Sequence, residues 1–176
     1  MYQISIQYFK IPFGELILGS FKDKLCLADW RYRKMRANID SRIQKYLKGE
    51  YIVEESDITK LTKLQLNEYF NKKRKEFTLP LLFAGTDFQK KVWNAILKIP
   101  YGKIESYSGL SKKLDNEKAV RAVASAVGAN AISIIVPCHR VIGCKGDLVG
   151  YAGGLDVKKR LLKSEGYLRD GQKELF

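Results

Sequence analysis

With 176 residues, 45% of them hydrophobic, the chain can bury the core of one ordinary domain or two small ones, and its charged fraction of 29% is not that of a disordered polypeptide. Thirty-two Lys and Arg against 19 Asp and Glu leave a formal charge of +13, enough to attract a polyanion, so nucleic acid is the first partner to consider; a lysine-favouring composition with no such partner would give the same excess. No apolar run reaches the roughly 18 residues that span a bilayer, three cysteines without a CxxC spacing argue against a disulfide scaffold and a structural zinc site, and a single histidine excludes centres built on several imidazoles.

Residues Met1 to Lys10 lack the basic-then-apolar order of a secretory signal, and a cytoplasmic, reducing location is expected, with no membrane partner. Tyr2 to Phe9 alternates polar and apolar residues, Pro12-Phe13-Gly14 turns the chain, and Leu16 to Leu18 and Leu25 to Trp30 are further apolar runs, which predicts a small antiparallel meander. Two helices follow in prediction. Ile39, Ile43 and Leu47 share one face over residues 39–47, and Leu61, Leu64, Leu66 and Phe70 fall roughly in helical register over residues 58–71. The first domain is therefore expected to be α/β, over residues 1–84.

Beyond a Lys- and Arg-rich stretch and a short run from Phe77 to Phe83, the sequence changes character at Gly85, and a second domain is placed over residues 85–176. Thr86 with Gln89 fits a capping box, and Phe88, Val92, Trp93 and Ile96 form one helix face before Pro100. Ser106 to Leu114 and Glu117 to Val127 are helical, separated only by Asp115-Asn116, close to a helix-turn-helix. The second of these is rich in small residues (Ala119, Ala122, Ala124, Ser125, Ala126, Gly128), with Arg121 the long basic side chain in its middle; taken alone, such a helix is better read as one packed tightly in an ordinary core. Ile132 to Val136 reads as a short apolar strand running into Pro137-Cys138-His139-Arg140-Val141. The segment from Asp170 to Phe176 is expected to be loosely held.

Cys138 beside the lone His139 carries the chemistry. A thiolate is the nucleophile, and a free thiol with a pKa of about 8.5 needs a base or a positive neighbour to be reactive at neutral pH. Adjacent residues on a strand point to opposite faces, so the pair cooperates only if the chain turns at Pro137 or a water bridges it. Burial as plain core filler is the simpler expectation for Cys26 and Cys144.

Val136-Pro137-Cys138-His139-Arg140-Val141, followed by Gly150-Tyr151-Ala152-Gly153-Gly154-Leu155, resembles the O6-methylguanine-DNA methyltransferase family of DNA repair proteins. The resemblance runs from Gly85-Thr86-Asp87-Phe88-Gln89 through Ile104-Glu105-Ser106-Tyr107, Arg121-Ala122-Val123 and Asn130 to Glu165-Gly166. It implies a ribonuclease-H-like α/β N-terminal domain and a mainly helical C-terminal domain with a winged helix-turn-helix. It also implies a single, unrepeatable transfer of a methyl or small alkyl group from O6-alkylguanine, or O4-alkylthymine, in double-stranded DNA to Cys138, without cofactor or metal. On the same resemblance His139 is linked to Cys138 through a water, Glu165 supports His139 and favours its charged form, Asn130 organises the turn beneath the thiol, and Tyr107 donates a hydrogen bond to the leaving guanine. Arg121 fills the space of a flipped base from the minor groove, Ser108 and Asn116 contact the DNA backbone, and Tyr151, Ala152 and Val141 line the base pocket. A monomer is implied, with cooperative binding on DNA open.

The sequence departs from the vertebrate form of the pattern. Asn130-Ala131-Ile132-Ser133 stands in place of a proline-rich stretch, and Ala152 in place of a Ser, which removes one side-chain contact to the base. Two other readings remain: a lesion-binding protein that transfers nothing, against which the presence of Cys138 argues, and a helix-turn-helix transcription factor, which would discriminate strongly among undamaged sequences.

Overall fold

The computed structural model describes residues 1–168, and the chain divides at Gly85/Thr86 into two compact units. The expectation for Asp170 to Phe176 lies outside the described residues.

In the first unit β1 (Tyr2–Ile11), β2 (Gly14–Phe21) and β3 (Lys24–Trp30) form the expected meander, each antiparallel to the next. The β2–β3 turn places both Lys22 and Asp23 at positive φ, the backbone that matches strand twist in a two-residue hairpin. A fourth strand not expected from the sequence, β4 (Gly49–Val53), pairs parallel with β1 after the chain crosses over through α1 (Arg36–Leu47), giving the order β3-β2-β1-β4. The stripe Ile39, Ile43, Leu47 is the buried face of α1.

The second helix, α2 (Asp57–Phe70), starts at a capping box in which Ser56 and Thr59 satisfy each other's backbone N–H groups. Its buried face is Thr59, Thr62, Gln65, Leu66 and Tyr69, so Leu64, expected in the apolar register, is instead exposed. It stands next to the i, i+3, i+7 row rather than on it. Arg36 of α1 reaches Asp29, whereas Lys63 of α2 reaches Gln7. Asp29 is aligned through Ile17 with Tyr8, the neighbour of Gln7, so the two helices cover opposite faces of the sheet. The run Phe77 to Phe83 is irregular but lies along β3, where Leu25 N donates to Pro80 O and Leu82 N to Leu25 O, covering that sheet edge.

In the second unit α3 (Asp87–Leu97) begins at the Thr86/Gln89 capping box and buries Val92, Trp93 and Ile96. The elements that follow are β5 (Glu105–Ser106), α4 (Tyr107–Lys113), a 3-10 turn (Glu117–Ala119) and α5 (Val120–Gly128), then a 3-10 turn (Cys138–Arg140), β6 (Val141–Ile142) and α6 (Leu155–Ser164). The helix expected over Glu117 to Val127 is thus a 3-10 turn leading into α5, and Ser106 is the cap of α4 rather than its first residue, its hydroxyl accepting from Gly109 N. Helices α3, α4 and α5 pack on one another, and the Trp93 indole N–H donates to Ala126 O at 2.8 Å, tying α3 to the end of α5. β5 and β6 pair parallel. Among the described residues no helix is long and apolar enough to cross a membrane.

Candidate active site

Ile132 to Val136 is not a strand. These residues form a tight turn closed by Val136 N to Ile132 O, with Ile134 at φ +72°. The run is apolar because all of it is buried, and a short apolar run carries no period that distinguishes strand from buried turn. The turn is organised by buried Asn130. Its side-chain oxygen accepts from Ile132 N (2.9 Å), and its amide nitrogen donates to Val136 O (3.0 Å) and to Cys138 Sγ (3.2 Å). Accepting on one side and donating on the other fixes which end of the amide faces the sulfur. An N–H aimed at sulfur favours the thiolate over the thiol.

The chain turns after Pro137, and the 3-10 geometry of Cys138–Arg140 carries His139 and Arg140 toward Glu165, in the turn after α6. Glu165 Oε1 receives His139 Nε2 at 2.7 Å and an Arg140 guanidinium N–H at 2.9 Å, while Oε2 receives Arg140 Nε at 2.8 Å and Gly102 N at 3.2 Å. Arg140 also donates to Ile99 O, tying the cluster to the turn after α3. Gly102 sits at φ +72°, and a Cβ there would stand 2.9 Å from Glu165 O, so only glycine lets its N–H approach the carboxylate.

Burial by itself raises the Glu165 carboxyl, but the hydrogen bonds from His139 and Arg140 and the Arg140 guanidinium charge overrule it and hold it well below the usual carboxylate range. It is therefore an anion that only accepts, and the ring nitrogen facing it must carry the proton. For His139 burial is the larger influence and lowers its pKa in spite of Glu165, with Arg140 and Lys158 pushing the same way. The imidazolium expected from a carboxylate neighbour is thus not the resting form: Arg140 neutralises the same carboxylate, and the fully buried ring is cut off from bulk solvent. A neutral His139 with its proton on Nε2 leaves a lone pair on Nδ1, which is buried and has no partner among the described residues.

Tyr107 opens α4, and its hydroxyl donates to Val149 O at 2.9 Å. Burial, with Cys138 and Asp147 nearby, pushes that phenol up to about 12, so it keeps its proton as a donor. The same carbonyl receives Lys158 Nζ at 3.2 Å. Lys158, fully buried on α6, also donates to Val141 O at 2.6 Å and Gly150 O at 3.2 Å.

Val141 is buried beside this cluster, and the Tyr151 ring lies edge-on to His139 at 6.4 Å between centroids. Ala152 is half-buried in the turn before α6, which Gly154 enters at φ +91°. Arg121 is exposed on α5 with Ala122, Ser125 and Gly128, while Val123, Ala126 and Val127 face inward, so of the small residues Ala122, Ser125 and Gly128 make the outer face of this helix and Ala126 packs inside. Ser108 shares a hydrogen bond with Ser106 at the start of α4. Asn116 is exposed, and its backbone carbonyl is held by the Ser111 hydroxyl. Cys26 is buried as expected; Cys144 is exposed, a correction that follows from its place in the loop after β6. Among the described residues no three His, Cys, Asp or Glu side chains group as metal ligands would.

Residues 4–83 match the model of the 6-O-methylguanine DNA methyltransferase ribonuclease-like domain, and residues 87–167 that of the 6-O-methylguanine DNA methyltransferase DNA binding domain. The chain belongs to the 6-O-methylguanine DNA methyltransferase family. It is 40% identical over 158 residues to the methylated-DNA--protein-cysteine methyltransferase of Methanosarcina acetivorans, covering 90% of this chain and 96% of the relative. To the inducible methylated-DNA--protein-cysteine methyltransferase of Bacillus subtilis it is 46% identical over 122 residues, 69% of this chain and 68% of the relative. The crystal structure of Mycobacterium tuberculosis OGT in complex with DNA superposes with a TM-score of 0.77 at 34% identity, covering 93% and 92% of the two chains. The O6-methylguanine-DNA methyltransferase of Pyrococcus kodakaraensis gives 0.68 at 25% identity, covering 93% and 99%.

In this member of the 6-O-methylguanine DNA methyltransferase family the sequence reading missed Arg140, Gly102, Lys158 and Val149. Arg140 lies inside the quoted Pro-Cys-His-Arg motif, and that an invariably charged side chain should stand in a stretch otherwise apolar was the available signal. Lys158 sits at i−3 to Leu161 and i−4 to Leu162 on the buried face of α6, which marks a lysine pointing inward. The contacts of Gly102 and Val149 are backbone ones, for which side-chain identity gives no signal.

Proposed function

We propose that this protein repairs alkylated DNA by moving a methyl or small alkyl group from O6 of guanine to Cys138, once per molecule. The reading is supported above all by the placement of Cys138 Sγ against the Asn130 amide N–H, one residue from a His139 held by an ionised Glu165. Asn130 stabilises negative charge on sulfur. His139 Nδ1 takes the Cys138 proton through an intervening water, and the Glu165 carboxylate, held in place by Arg140, stabilises the imidazolium as it forms. The thiolate attacks the alkyl carbon, the S–C bond forms as the O6–C bond breaks, and the electron pair leaves on guanine, where a hydrogen bond from Tyr107 meets the developing charge. The product thioether offers no leaving group to any of these residues, so the protein is consumed. No cofactor takes part.

The same reading makes the first unit a ribonuclease-H-like domain and α4, α5 and the short β5–β6 pair a winged helix-turn-helix. The exposed stripe Ala122, Ser125, Gly128 lets α5 approach the minor groove without reading bases, Arg121 occupies the stack vacated by the flipped nucleotide, and Ser108 and Asn116 hold the backbone. Tyr151, Ala152 and Val141 enclose the base. The protein works as a cytoplasmic monomer on double-stranded DNA and accepts O4-alkylthymine as a second substrate.

Incubation with an O6-methylguanine duplex followed by intact and peptide mass spectrometry is the test. A gain of one methylene unit on Cys138 is expected. Lesion binding without that gain leaves only a recognition protein, and tight binding to one undamaged sequence alone leaves a transcription factor.

A further inference from the structure

A lysine with no exposed surface is an anomaly that the transfer step above does not use. Lys158 has no carboxylate within hydrogen-bond distance among the described residues; its ammonium is instead capped by the backbone carbonyls of Val141, Val149 and Gly150. These carbonyls come from two stretches of chain. Val141 follows directly on the Cys138–Arg140 turn, whereas Val149 and Gly150 close the loop that leads into Tyr151 and Ala152. Lys158 therefore clamps the segment carrying the thiol to the segment carrying the base-facing residues. Burying an ammonium costs several kcal/mol unless its hydrogen bonds are satisfied, and a side chain used only to fill space on α6 would be Leu or Met.

The Val149 carbonyl has a second donor, the Tyr107 hydroxyl at 2.9 Å. A phenol has one proton. While it is donated to Val149 O it cannot be donated to a purine, so a Tyr107 that assists the leaving group must give up this bond when the base arrives. Without a further donor that exchange would strand a carbonyl and release the loop at the moment the pocket has to be closed.

We propose that Lys158 is a positioning residue for alkyl transfer: it fixes the Val149 carbonyl as the resting dock of Tyr107 and keeps that loop in place after Tyr107 turns to the purine. The inference rests on the reading of Tyr107 as donor to the leaving group. It makes the exchange nearly neutral in hydrogen bonds, since Tyr107 trades one acceptor for another and Val149 O retains Lys158 throughout. Asp147, whose carboxylate lies over Gly143 in the same loop, is the other charged group facing this region.

The test compares Lys158→Met, Lys158→Arg, Tyr107→Phe and the double variant Lys158→Met/Tyr107→Phe in single-turnover transfer from an O6-methylguanine duplex, beside carbamidomethylation of Cys138 by iodoacetamide. Lys158→Met is expected to lower the maximal transfer rate about tenfold or more, with a much smaller change in the protein concentration giving half the maximal rate. Iodoacetamide reactivity should stay within about twofold, because a small reagent needs no docked base. Lys158→Arg should recover part of the rate. The loss should shrink clearly in the Tyr107→Phe background, since the two side chains act through one carbonyl. Equal losses in both backgrounds, or iodoacetamide slowed in parallel with transfer, would overturn the proposal, as would a Lys158→Met protein that transfers normally. A Tyr107→Phe protein with wild-type transfer would instead remove the Tyr107 reading itself. Should Lys158→Met fail to fold, hydrogen exchange of residues 143–150 in Tyr107→Phe decides: protection equal to wild type is expected with Lys158 in place, and its loss overturns the clamp.

Discussion

Two cysteines of this chain are almost equally hidden from solvent, Cys26 at 1% and Cys138 at 6% exposure, and their surroundings prepare them for opposite fates. Cys26, in the middle of β3, donates its S–H to Gly19 O at 3.4 Å, and burial pushes its pKa up to about 12. Cys138, in a 3-10 turn, accepts an N–H from Asn130 at 3.2 Å and lies next to the His139–Glu165 pair. A carbonyl facing sulfur holds the proton on; an amide N–H facing sulfur accommodates its loss. Burial alone therefore says nothing about reactivity. The direction of one hydrogen bond does.

That contrast is most directly broken by substitution. Cys138→Ala is expected to abolish the mass gain on methylated DNA completely while binding to DNA persists, and any methyl group found on Cys26 in that variant would refute the distinction. Asn130→Ala removes the donor to sulfur and the brace of the turn; transfer should fall about a hundredfold, the scale of losing one oriented hydrogen-bond donor, read by single-turnover kinetics. Glu165→Gln leaves the Arg140 guanidinium buried against a neutral amide. It should cost about 3–5 kcal/mol in urea unfolding and slow iodoacetamide at Cys138, while Cys26 stays unreactive in the folded protein.

A smaller effect tests the pH dependence. Burial, partly offset by Cys138 and Asp147, lowers Lys158 to about 8. The unfolded lysine holds its proton to about 10.4, so between these values the unfolded chain binds more protons and raising the pH stabilises the fold through this residue. Transfer should move the other way, declining through about pH 8 as the clamp loses its charge. Both trends should be absent from Lys158→Arg, whose side chain stays charged across this range. Smallest of all, Cys26→Ala should cost about 1–2 kcal/mol of stability through lost packing and leave the transfer rate unchanged; a slower rate would mean that β3 communicates with the thiol.

Much of this was legible in the residues. The Thr86/Gln89 capping box, the Ile39-Ile43-Leu47 stripe and the three strands of the meander are local patterns, and local patterns survive folding. β4 was not legible because its partner β1 is remote in sequence, and a five-residue strand carries little pattern of its own. The Ile132 to Val136 turn looked like a strand because complete burial and strand formation select the same residue types. At the site, the order of motifs pointed to Cys138, His139, Glu165 and Asn130. The Arg140–Glu165 pair, and the meeting of Tyr107 and Lys158 on one carbonyl, depend on contacts between segments far apart in the chain.

Ile134 bears on when the thiol becomes reactive. A β-branched residue at φ +72° is one that local preferences disfavour, so the bend it occupies is imposed by what encloses it rather than chosen by its own sequence. Such a bend can take shape only once its surroundings exist. A chain still emerging from synthesis, or one partly melted, therefore carries an ordinary sluggish thiol, and the capacity to react arrives together with the finished fold. For a protein that can spend its sulfur only once, this delay guards against wasting it on stray electrophiles before the molecule is ready.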